Sequence, residues 1–121
     1  MHESKSDIET YNEHPEYIRQ TVQQLMKDFA MFGIEIEFSG DTDLAYREMF
    51  VQTCNHIEML LKSNNQKLYA LLYQIDLSNT SIITASEEHP EFTLAEVITE
   101  LVIHRELKKV ILRNYFKKHG I

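Results

Sequence analysis

The residues from Leu94 to Lys118 contain no Gly or Pro and read as one uninterrupted helix, the longest such pattern in the chain. Its start is marked several times over. Pro90 suits a first helical turn, where its missing N–H is not needed, and Thr93 with Glu96 has the spacing of a capping box. Phe92 and Val97 flank that box as a hydrophobic staple would, and Gly120 stands where a C-terminal cap belongs. At about 1.5 Å per residue such a helix is nearly 40 Å long, the width of a small domain. The rest of the chain is expected to pack along it.

A chain of 121 residues predicts one domain, here residues 14–121 preceded by a polar, flexible segment over residues 1–13. The hydrophobic share of 43% argues against disorder, and three Gly with two Pro supply too few turns for an all-β fold. Cys54 is the single cysteine, which removes an internal disulfide and every multi-cysteine zinc pattern. The N-terminus lacks the apolar core of a secretory signal, and no apolar run approaches a bilayer's width. These features predict a soluble protein of the cytoplasm.

The net charge of −7 is unevenly spread. Residues 105–121 hold six Lys and Arg against one acid, Glu106, for +5, which leaves −12 on the remainder.

Ile18, Val22, Leu25, Phe29 and Phe32, with Met26 beside them, form the stripe of a first helix ending near Gly33. Residues 34–38 alternate apolar and polar as a strand does, but no second segment offers a partner, so an extended connection is expected. Ser39 to Asp43 is a turn and cap cluster. A second helix follows with Tyr46, Phe50, Thr53, Ile57 and Leu60 on its stripe and Met49, Cys54 and Leu61 alongside. Ser63 and Gln66 match a capping box for a third helix carrying Leu68, Leu71, Leu72 and Ile75 and closing at Asp76 and Leu77. Residues 78–86 read as a hydroxyl-rich loop from which Ile82 and Ile83 dip into the core. The expected fold is therefore all-α, a compact four-helix bundle with a long C-terminal helix.

Stepped at about 100° per residue, the last helix shows an apolar face of Leu94, Val97, Ile98, Leu101, Leu112, Tyr115 and Phe116. Ile103, Leu107, Val110 and Ile111 form a second patch on roughly the opposite side. A helix apolar on two sides is either central in its own bundle or packed against another chain, which makes those four residues candidates for a homodimer interface. Arg105 falls near the centre of the first face, flanked by His104 and Lys108, and needs a partner there. Asp76, the one acid in the apolar run of the third helix, is the candidate. The pair reads either as a structural link between helices or as a polar site, with Asp76 as base and Arg105 holding an anion.

Other constellations have bland explanations. Glu96, Glu100 and His104 recur every four residues and could hold a metal, but they equally describe a solvated helix face, and neither Glu-x-x-His nor His-Glu-x-x-His occurs. The two His-Pro-Glu runs at His14 and His89 could pair as ligands, although helix-start chemistry accounts for both. Cys54 and His56 point apart on a helix and make no dyad. Lys109, Arg113 and Lys117 form a basic stripe, yet cations suit a helix C-terminus and the −12 remainder would repel DNA. No glycine-rich phosphate loop is present. No cofactor or metal is expected, and no nucleic acid or membrane.

Leu71, Leu72, Tyr73, Gln74, Ile75, Asp76, Leu77 and Ser78, followed by Leu94, Ala95 and Glu96, make up the first part of a recognisable pattern. His104, Arg105, Glu106, Leu107, Lys108, Lys109 and Val110 complete it. The pattern resembles one found in a family of uncharacterised, short, all-helical bacterial proteins. The resemblance covers roughly the C-terminal half and implies that Asp76 and Arg105 belong to a shared architecture; it transfers no activity. The function read from the residues is a non-enzymatic protein acting through contacts with another protein or with itself. The alternative is a ligand-binding or enzymatic bundle with Asp76, Arg105, His104 and Tyr73 around a polar pocket.

Overall fold

The computed structural model describes residues 14–120, so the expectation for residues 1–13 lies outside it. Among the described residues there are five α-helices and no strand: α1 (Pro15–Ala30), α2 (Ala45–Ser63), α3 (Asn65–Ile75), α4 (Asn79–Glu88) and α5 (Leu94–Lys118), with a 3₁₀ turn at Thr42–Leu44 before α2. The long last helix contacts all four others and is the spine around which the chain is built.

Pro15 opens α1, where a missing N–H costs nothing, and Ile18, Val22, Leu25 and Phe29 bury its stripe as their spacing predicts. Gly33 ends it. At φ 73° its N–H reaches the Ala30 carbonyl at 3.0 Å and the next N–H, of Ile34, reaches that of Phe29 at 3.1 Å. This double closure needs a left-handed residue, which Gly supplies without strain.

Residues 34–38 are an extended connection, with Ile34 and Ile36 buried and Glu35 and Glu37 outside. The backbone partner that a second strand would have provided comes from a side chain. Gln52 of α2 accepts from the Glu37 N–H and donates to the Glu37 carbonyl, each at 2.8 Å. Glu48 accepts from the Ser39 N–H at 2.9 Å, a bond that holds the Glu48 carboxyl below its ordinary value. The Asp41 side chain caps the 3₁₀ turn through the Asp43 N–H.

Several boundaries differ from expectation. Ser63 still belongs to α2 and bonds back to the Met59 carbonyl; the cap of α3 is Asn64, which accepts from the Lys67 N–H. The core line of α2 runs through Ala45, Met49, Thr53, Ile57 and Leu60, which leaves Tyr46 exposed on its flank. The expected loop over residues 78–86 is mostly helix α4, capped by Ser78, and only Ile82 of its two isoleucines is buried. Thr93 and Glu96 form the complete capping box, but Pro90 sits in the preceding turn rather than in α5. Gly120, at φ 71°, follows the helix end.

Candidate functional site

The α1–α5 interface is where the chain departs furthest from an ordinary apolar core. Asp28 pairs with Lys109, Gln24 with Arg113 and Gln20 with Asn114, so the two helices run antiparallel along a polar seam. At its inner end Glu106 is fully buried and Asp28 is 3% exposed. One cation serves both: Lys109 Nζ is 3.1 Å from Asp28 Oδ2 and 2.9 Å from Glu106 Oε1. Gln24 donates to the other Asp28 oxygen at 3.2 Å.

Burial pushes the Glu106 carboxyl up to about 8, helped by its hydrogen bond with Asp28 and opposed by Lys109. Burial also pushes Asp28 upward, but hydrogen bonds from Glu106, Lys109 and Gln24, with the charge of Lys109, outweigh it and leave Asp28 below its ordinary value. Near neutral pH the pair therefore holds one proton, on Glu106. The cluster thus carries one negative and one positive charge, which makes its burial tolerable. Sequence reasoning missed this role, because Glu106 stands out there only as one acid in a basic tail.

Of the residues expected around a polar site, the structure brings together Asp76 and Arg105. Arg105 Nη2 donates to Asp76 Oδ2 at 2.9 Å, and its Nε donates to the Asp76 carbonyl at 3.3 Å. Asp76 also closes α3: at φ 69° it takes the left-handed position, with the Leu77 N–H on the Leu72 carbonyl at 2.9 Å. The pair lies at the surface, the Asp76 side chain being 81% exposed. Tyr73 is 88% exposed and His104 is half-buried. Two open hollows of about 480 and 470 Å³ lie elsewhere, beside Ile34 and beside Val51, and neither is lined by any of these four residues.

Asp76 should be separable into its two tasks. Asp76→Asn keeps a residue that tolerates the left-handed position and loses the ion pair; it is expected to cost less than about 1 kcal/mol. Asp76→Ala loses both and is expected to cost about 1–2 kcal/mol more. Urea unfolding of the two variants checks this, and equal losses would contradict it.

The four residues expected at a partner interface lie elsewhere than a free surface. Ile103, Leu107 and Val110 are buried within this chain, and Ile111 is half-buried. They alternate along α5 with Glu106 and Lys109 of the polar seam. Exposed instead are Leu112, Tyr115 and Phe116, from the other apolar face, at 41%, 51% and 44%.

The remaining candidates have local partners. Tyr46 donates to Glu100, Glu96 completes the capping box, and His14 and His89 each lie 3.3–3.5 Å from the acid two residues on. Among the described residues no group of three metal-ligating side chains comes together. Burial raises the Cys54 thiol, with a hydrogen bond between it and Thr99 opposing and the charges of Glu58 and Glu96 reinforcing, which is the reverse of nucleophile activation. No described helix is long and apolar enough to cross a membrane. No family model, curated protein or solved structure matches the chain.

Proposed function

We propose that this is a non-enzymatic cytoplasmic protein that acts by docking another protein on the C-terminal end of α5. The observation that carries this reading is the exposure of Leu112, Tyr115 and Phe116, three large apolar side chains within two turns and on one side of the helix. Their spacing of three and four is that of helical anchor residues at protein interfaces, and aromatic side chains give such contacts much of their strength. Lys117 and Lys118 flank them. In this reading α1, α2, α3 and α5 are a four-helix bundle, and α4, which contacts α5 alone among the helices, is an appendage to it.

A polar ligand site around Asp76, Arg105, His104 and Tyr73 has less support. The guanidinium is already occupied by Asp76, and the hollows beside Ile34 and Val51 are lined by none of these four residues.

The reading is tested by placing a photo-crosslinking side chain at Phe116 and, as a control, at exposed Lys62 of α2. Light-dependent protein adducts from position 116 in cell extract, well above those from position 62, are expected. Equal yields at both positions would remove the reading.

A further inference from the structure

The two ends of α5 carry opposite charge beside exposed apolar groups. At the C-terminal end, Leu112, Tyr115 and Phe116 adjoin Lys117 and Lys118, all exposed. At the N-terminal end, the corner between α4 and α5 exposes Phe92 at 53% and Leu94 at 46%, next to exposed Glu87, Glu88 and Glu91. Leu94, Arg105, Leu112 and Phe116 lie on the same side of the helix, as their spacing requires. From Leu94 to Phe116 is about 33 Å at 1.5 Å per residue.

Resting on the docking reading above, we propose that the partner is a second copy of this chain, paired antiparallel through the two exposed ends of α5. The basic, apolar end of each copy then seats on the acidic, apolar corner of the other. One rigid helix holds both halves of a complementary contact at its two ends, and this is what a two-fold pair needs, because each contact is then made twice. A parallel pairing would set lysines against lysines and glutamates against glutamates. Matching Leu94 to Phe116 puts Arg105, halfway between them, beside the two-fold axis. There the two guanidinium groups would face each other, and each already carries its own Asp76 counter-charge at 2.9 Å.

Charge reversal tests the arrangement on the full chain, with light scattering after size exclusion as the readout. Wild type is expected to reach twice the 14.3 kDa chain mass as concentration rises. Lys117→Glu with Lys118→Glu, and separately Glu87→Lys with Glu88→Lys, should each weaken the dimer roughly tenfold or more. All four positions are exposed, so circular dichroism should show unchanged helix content. An equimolar mixture of the two variants should recover the dimer, as should one chain carrying all four substitutions, because opposite charges then meet at both contacts. A wild type that stays monomeric, or a dimer indifferent to the reversals, would overturn the proposal. The cross-linker at position 116 separates the two failures. Adducts to other proteins from a monomeric chain would overturn the self-pairing and leave the docking surface, whereas no adducts at all would remove both.

Discussion

Replacing Lys109 with methionine is expected to lower the unfolding free energy at pH 7 by about 3–5 kcal/mol, the usual cost of removing one partner from a buried charge pair. Methionine keeps most of the lysine stem and its packing, so the loss reports on the charge. What remains is the buried Asp28 carboxyl, 3% exposed, with Gln24 and the Glu106 proton as its supports. The double variant Lys109→Met with Asp28→Asn removes both charges and is expected to recover much of the loss, because a neutral hydrogen-bonded cluster has no charge to desolvate. Urea unfolding of the two variants and wild type measures both quantities. A single-variant loss below about 1 kcal/mol, the size of an exposed pair, would mean that water reaches the cluster.

The same cluster explains which parts of the fold are legible in the sequence. The stripes of α1 and α3 are, because a regular line of large apolar side chains marks each: Ile18, Val22, Leu25 and Phe29 on one, Leu68, Leu71, Leu72 and Ile75 on the other. The capping box of α5 and the turn at Gly33 are also plain, since each needs particular residue types at fixed spacing. The core direction of α5 is not. The residues pointing into it include Ala95, Thr99 and Glu106, which are small or polar, so the apolar side chains stand to either side and read as two separate faces. One signal does exist. Glu106 has Val102, Ile103 and Val110 three or four positions away, and a polar residue so surrounded on a helix faces the core. Helix α4 is hidden for another reason. Residues 79–88 are rich in Thr, Ser, Ile and Asn, poor helix formers alone, and the burial of Ile82 with the Ser78 cap outweighs that preference.

Between about pH 4.5 and pH 8 the stability of wild type should fall as pH rises, relative to Glu106→Gln. Glu106 has a folded pKa of about 8 against an ordinary value of 4.5, so across this window the folded chain holds a proton that the unfolded chain has released. Stability declines wherever the folded state binds more protons, and the decline is complete once pH passes the folded value. At about 1.4 kcal/mol for each pH unit between the two values, the difference accumulated across this window is on the order of 4 kcal/mol. Asp28 acts in the opposite sense. Its folded value lies below the ordinary 3.8, so its contribution is present above that pH and is lost as pH falls through the folded value. Glutamine matches the shape of the protonated acid and keeps a donor for Asp28, so subtracting its curve isolates the Glu106 proton from the other titrating groups. Urea unfolding at intervals from about pH 5 to pH 9 gives both curves. Parallel curves would show that Glu106 ionises without cost inside the α1–α5 seam, which its full burial between Asp28 and the core of α5 does not allow unless the two helices separate. A widening gap would identify the seam as the place where rising pH loosens the molecule, with the basic end of α5 the first part freed, because Lys109, Arg113 and Asn114 are what hold it to α1.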